Sequence, residues 1–145
     1  MSKVNTYCEL KEKHQKEFNN FPMFYAFSNE RFEEGMRKFG LNPETDNDKI
    51  LHLSGTGGYF KKADEPMFDE MMARHKREIE EAIENDATGN GFIYEMFNYE
   101  LANHEYGYTG DIEQTLEALD MTMEQINANK KLLRGLRKAK KMQNK

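Results

Sequence analysis

Tryptophan is absent from the 145-residue chain; cysteine and valine occur once each and proline three times. A single cysteine excludes an internal disulfide framework. One Val, six Ile and seven Thr are few β-branched residues, so extensive sheet is disfavoured and helix favoured. No apolar stretch approaches the roughly 18 residues that read as a membrane span, so composition excludes one. The first 20 residues hold no apolar signal core, and the expected setting is a reducing cytosol. Leu, Ile, Val and Phe total only 27, but ten Met and seven Tyr bring the large apolar side chains to 44. A folded, thinly cored, polar domain is expected.

Charged residues make up 32% of the chain and the formal net charge is −5. The charge is uneven. Residues 129–145 carry eight Lys or Arg and no acid, which leaves 13 bases against 26 acids elsewhere, a net of −13. An acidic body thus ends in a basic segment.

Apolar spacing lays out the elements. Residues 5–19 read as a helix with a stripe of Tyr7, Leu10, His14 and Phe18, closed by Asn19, Asn20 and Pro22. Residues 21–27 are the densest aromatic run. Ser28 is a natural N-cap for a helix over 29–39, with Gly40 just past its end. A polar loop covers 42–48. Residues 50–53 and 58–60 flank a Gly-rich turn and read as a β-hairpin. Pro66 and the acids before it open a long helix to about Asn85, with Glu70 and Arg74 paired on its outer face. A helix is expected over 92–106 and a short one after Asp111. Thr122 with Gln125 forms a capping box for a last, basic helix over 123–141, followed by frayed residues. No repeat or linker divides the chain. The fold class is α+β, mainly α: about six helices with one short β-hairpin in a single domain.

The segment GFIYEMFNYELANHEY over 91–106 is the most informative. On a helical wheel Ile93, Phe97, Glu100 and His104 share one face. Met96 and Asn103 flank it on one side and Leu101 on the other. Glu95, Asn98, Ala102 and Glu105 face water. Glu100 and His104 therefore stand one turn apart on the apolar side. A carboxylate there must be paired or neutral. The first reading is a structural pair, with Asn103 and tyrosine hydroxyls closing the network. The second is a ligand-contacting acid/base pair. A metal site is third, because no further ligands stand at metal-binding spacing. Tyr94, Tyr99, Tyr106 and Tyr108 either line a shared pocket or cover the core.

Other features read blandly. His75 lies on an apolar stripe as a core histidine, with His52 close to it if the hairpin packs there. Residues 54–58 (SGTGG) lack the Lys and the following helix of a phosphate loop and read as a hairpin turn. The aromatic run is core first and a binding platform second. The basic tail has an apolar stripe of Leu132, Leu133 and Leu136. It reads as a helix docked on the acidic body, with phosphate contact the alternative. No activating His or motif accompanies Cys8 in the sequence, so no nucleophilic role is expected of it.

The runs FPMFYAFSNERFEEGM, GFIYEMFNYELANHEY and DIEQTLEAL resemble a family of small uncharacterised proteins of bacteriophages and mobile elements of Firmicutes and Bacteroidetes. The resemblance covers most of the chain except its ends and the loop at 42–49. It implies no reaction, only a phage-like accessory gene acting in a bacterial host cytoplasm. The expected function is a binding protein that inhibits a host factor, with anti-defence as the leading subclass: an anti-CRISPR-like inhibitor or a signalling-nucleotide trap. A small metal- or Glu/His-dependent enzyme and a self-associating regulatory protein are the alternatives. The expected binding residues are Glu100, His104, Asn103, Tyr99, Tyr106 and Asn98, with no catalytic residue and no metal ligand. The cofactor is unknown. Expected partners are a host protein or nucleotide ligand and a possible homo-oligomer. No membrane is expected, and no nucleic acid except through the basic tail.

Overall fold

A computed structural model of the chain describes residues 6–144. The expected helix start at residue 5 and the terminal residue 145 lie outside the described residues. Among those described, the helices are α1 Thr6–Asn19, α2 Asn29–Lys38, α3 Glu65–Asn85, α4 Phe92–Asn103, α5 Tyr106–Thr109, α6 Glu113–Leu119, α7 Met123–Asn127 and α8 Lys130–Gln143. The strands are β1 Phe24–Tyr25, β2 Ile50–His52 and β3 Gly58–Lys61. The fold class is α+β and mainly α, as expected, with eight helices and a three-stranded sheet. No described helix is long and apolar enough to cross a membrane. The chain divides into two compact units: Lys16–His75, and the described residues up to Gln15 together with those from Lys76 onward.

In the unit over 16–75, the antiparallel sheet runs in the order β1-β3-β2. Phe24 stands opposite Tyr59, and Tyr59 opposite His52. Strand alternation therefore puts these three rings on one face and Leu51 and Phe60 on the other. Phe60 joins Phe21, Phe68 and Met71 in a core flanked by Phe18, Met23, Leu51 and Leu53. The third strand comes from the aromatic run, where only a hairpin was expected. Ser28 caps α2 as expected, its Oγ accepting from the Arg31 N–H at 3.3 Å. Within α2, Gly35 makes room for a neighbour: a Cβ there would overlap the Phe24 ring.

In the other unit, α4 is the centre. Its Ile93, Met96, Phe97 and Leu101 are 0% exposed, surrounded by Ile126, Leu132, Leu136 and Ala139. Asp86 organises the entry to α4. Its Oδ1 accepts from Thr88 and Gly89, and its Oδ2 from Gly91 at 3.1 Å and Ile93 at 3.0 Å. Burial pushes the Asp86 carboxyl up, but these backbone N–H groups outweigh it and hold it below the ordinary carboxylate value. Gly135 lets α8 come close, since a Cβ there would lie 2.7 Å from the Gly89 carbonyl oxygen.

Two expected helices are broken. The helix over 92–106 stops at Asn103, because Glu105 adopts a left-handed conformation (φ 57°) that no α-helix continues through. The helix over 123–141 is two. The Thr122–Gln125 capping box opens α7. Asn129 then caps α8 afresh, its Oδ1 accepting from Lys131 at 3.0 Å and Leu132 at 3.2 Å. Helix α8 continues to Gln143, past the expected end at 141. The docked basic helix is observed. Leu132, Leu136 and Ala139 are buried. Lys131 Nζ donates to the Glu84 carbonyl at 3.0 Å, where the last carbonyls of α3 favour a cation. Arg134 donates to the Thr88 carbonyl at 3.1 Å, and Lys138 stands 4.3 Å from the Tyr94 ring centroid.

Candidate functional site

Glu100 is buried as the wheel requires, at 1% exposure. Its partners come from α1, where Tyr7 and Lys11 lie one turn apart on the same face. Tyr7 Oη donates to Glu100 Oε2 at 2.5 Å and Lys11 Nζ to the same oxygen at 2.6 Å. A buried carboxylate is tolerable on such terms, since a cation and a hydroxyl replace its lost water. Lys11 also lies 5.1 Å from the centroid of the Tyr99 ring, and the Tyr7 ring packs against Tyr99 and Phe92, both at 5.7 Å. Burial first, then the hydrogen bond to Glu100 and its charge, push the Tyr7 phenol far above its ordinary value. Tyr7 thus stays a neutral donor. Below the pair, Thr115 Oγ1 donates to the Glu100 carbonyl at 3.3 Å.

The second oxygen of Glu100 is different. Oε1 accepts no hydrogen bond among the described residues. His104 Nε2 stands 3.7 Å from it, within ion-pair reach and beyond hydrogen-bond reach. Chemically, the cluster is a carboxylate clamped by two donors on one oxygen, with an imidazole near the other.

Of the expected residues, Glu100, His104 and Tyr99 come together. Asn103 is exposed. Asn98 Oδ1 instead accepts from Gln143 Nε2 at 2.6 Å. Tyr106 is buried in the core cluster that also holds Leu116 and Leu136. The network is closed by the Tyr7 hydroxyl and Lys11 rather than by Asn103. Sequence reasoning placed Tyr7 on the sticky stripe of α1 but missed Lys11. The signal was their one-turn spacing, which makes sense only once α1 is known to face α4.

His75 is a buried histidine, as expected, with Nε2 3.5 Å from Glu17 Oε1. Glu17 also accepts from both terminal nitrogens of the Arg74 guanidinium, at 3.0 and 2.5 Å. That grip, against the opposing effect of burial, holds the Glu17 carboxyl down to about 2. No group of three or more His, Cys, Asp or Glu suited to a metal occurs among the described residues.

A second feature lies in the unit over 16–75. The His52 ring stacks on Tyr59 (centroids 4.6 Å apart, planes at 20°), and Tyr59 stacks on Phe24 (5.2 Å, 12°). Phe32 meets Tyr59 edge-on at 5.0 Å. The aromatic run is therefore neither all core nor all surface. Phe21 and Ala26 are buried, whereas Tyr25 is 53% and Phe27 85% exposed. Beside this row opens a cleft of about 470 Å3, lined by Phe27, Phe32, His52, Tyr59, Ser28 and Asn29 among others. Residues 54–57 form the hairpin turn next to it, with Gly58 already in β3, and Gly57 lies under the Phe27 ring, where a Cβ would be 2.5 Å from Cζ. His52 is held by its Nε2, 2.5 Å from the Thr56 carbonyl. A second hollow of about 540 Å3 shares Ser28 and carries Arg31 and Lys38 against Glu30 and Glu34.

Fold and sites define a small, mainly helical α+β protein with a carboxylate locked in one unit and a ring-lined cleft in the other. The chain belongs to the family of unknown function DUF7659, whose pattern it matches over residues 6–142. No curated protein and no solved structure matches it.

Proposed function

We propose that the chain is a non-enzymatic binding protein of a phage or mobile element. It would act in the bacterial host cytoplasm by occupying a host factor, to disable a defence system. The observation that carries the reading is the cleft of the 16–75 unit, with Phe27 85% exposed at its rim. Exposed aromatic rings beside a pre-formed hollow are what binding surfaces use as anchors. Of the two subclasses, a trap for a nucleotide-like signal fits a cleft of this size better than a flat protein epitope would. The net charge of −5 sets the chain against polyanionic nucleic acid.

A Glu/His-dependent enzyme is the second reading. In its favour stands Glu100 Oε1, accepting no hydrogen bond and 3.7 Å from His104. Against it, Oε2 is already held by Tyr7 and Lys11, which is how a structural tie is built.

The test is phage plating on bacterial strains that each carry one defence system, with and without the chain expressed. Plating of a restricted phage should rise in at least one strain, and the double variant Phe27→Ala/His52→Ala, which removes both exposed rings of the cleft, should abolish the rise. Unchanged plating in every strain overturns the anti-defence role, and a rise that the double variant retains overturns the cleft as what carries it.

A further inference from the structure

We infer that the cleft beside the His52–Tyr59–Phe24 row is a site for a purine ring, carried by a nucleoside or mononucleotide. The inference rests on the reading of the chain as a binding protein and names the ligand class and the residues.

The row is built by register. Phe24, Tyr59 and His52 are cross-strand partners on three adjacent strands, so their rings stack in line. Tyr59 has a ring on each face, Phe24 and His52, and is fully occupied. His52 is the end of the stack and is exposed. Its orientation is fixed, because Nε2 meets the Thr56 carbonyl and Thr56 is itself tied, donating to the Leu53 carbonyl at 2.8 Å and accepting from the Gly58 N–H at 3.0 Å. A held, exposed heteroaromatic ring is a stacking platform prepared in advance. Phe27 supplies a second open ring, seated over Gly57, whose missing Cβ leaves it that place.

The polar groups fit the edge of a base. With Nε2 toward Thr56, His52 offers Nδ1. Asn29 carries an amide, the group whose paired donor and acceptor match the edge of adenine. The Ser28 hydroxyl accepts from Arg31 N–H and keeps its own proton to donate. Among the described residues, the cleft lining contains no Asp or Glu and no Lys or Arg. In the adjoining hollow, Arg31 and Lys38 are balanced by Glu30 and Glu34. The recognition is therefore of the ring, with little contribution from phosphate. Purine is favoured over pyrimidine because the larger ring gains more from stacking.

The experiment is a calorimetric titration of the full chain with adenosine, AMP, cytidine, ribose 5-phosphate and an oligoadenylate, repeated on Phe27→Ala, His52→Ala and Asn29→Ala. Both rings are exposed, so these variants should fold, which circular dichroism checks. Adenosine and AMP should bind with similar affinity, cytidine more weakly and ribose 5-phosphate undetectably. Loss of either ring should weaken AMP by about tenfold or more. Asn29→Ala should narrow the gap between adenosine and cytidine. Binding of ribose 5-phosphate as tight as AMP overturns the inference in favour of a phosphate site. An oligoadenylate that binds far more tightly than AMP, and is lost with salt, overturns it in favour of single-stranded nucleic acid. Absence of binding by every purine probe overturns it outright, while a plating effect that survives would leave the binding-protein reading standing. Purine binding without any plating effect would sink the anti-defence role alone.

Discussion

The two units differ in where they keep their rings, although Tyr108 of the helical unit is itself 92% exposed. In the helical unit, Phe97 is 0% exposed and Glu100, on the inner face of α4, is locked by Tyr7 and Lys11. In the sheet unit, the core of Phe21, Phe60, Phe68 and Met71 is small, Phe27 and His52 are left exposed beside a cleft, and Tyr25 is exposed on the adjoining hollow. Burying rings stabilises a fold at the expense of surface for recognition. A chain with 27 large aliphatic and Phe residues cannot do both everywhere. On the proposed binding reading, the difference between the units is a division of labour, with stability in one and contact in the other.

The comparison is broken most severely at Phe97. Phe97→Ala should cost about 3–5 kcal/mol in urea unfolding, through lost burial and the cavity left behind. Phe27→Ala, the same change in the other unit, should alter stability by less than about 0.5 kcal/mol. Comparable losses at both positions would erase the distinction between core ring and presented ring.

Glu100→Gln comes next, at about 2–3 kcal/mol, because Lys11 and Tyr7 lose a charged acceptor. Lys11 is 40% exposed and can return to water, which keeps the cost below that of stranding a fully buried cation. A variant as stable as the parent would remove the structural account of the cluster and reopen the catalytic one.

The smallest effect is acid sensitivity in the sheet unit. Arg74 holds the Glu17 carboxyl at about 2, against an ordinary value of 4.5. The unfolded chain therefore takes up this proton first. The stability from the Arg74–Glu17 pair is complete above about pH 4.5 and drains away as pH falls toward 2. Arg74→Met should flatten unfolding free energy against pH across that window. An unchanged slope would show that the pair does not discriminate folded from unfolded chain.

Much of the fold was legible locally. Ser28 before a 3.6-period stripe, the Thr122–Gln125 box, Gly40 beyond α2 and the SGTGG turn are short-range signals, and each sits where its chemistry demands. Glu100 was legible as buried because helical periodicity alone fixes its face. Its partners were not, since Tyr7 and Lys11 are 93 and 89 residues away and meet it only through the packing of α1 on α4. The break after Asn103 was hidden as well, because Glu105 carries no mark of a left-handed residue. Asn129 did carry a capping signal, but the surrounding apolar spacing continued across it and masked the boundary. The third strand is two residues long, too short for alternation to reveal it. The aromatic row was invisible for the same reason: His52, Tyr59 and Phe24 become neighbours only through strand register.

The most direct test of the division of labour is native mass spectrometry of the full chain with AMP added, run in parallel on the parent, Phe27→Ala and Glu100→Gln. The account predicts a single AMP adduct on the parent and on folded Glu100→Gln, and its loss from Phe27→Ala. An adduct kept by Phe27→Ala and lost from folded Glu100→Gln would place the binding function at the buried carboxylate and contradict it.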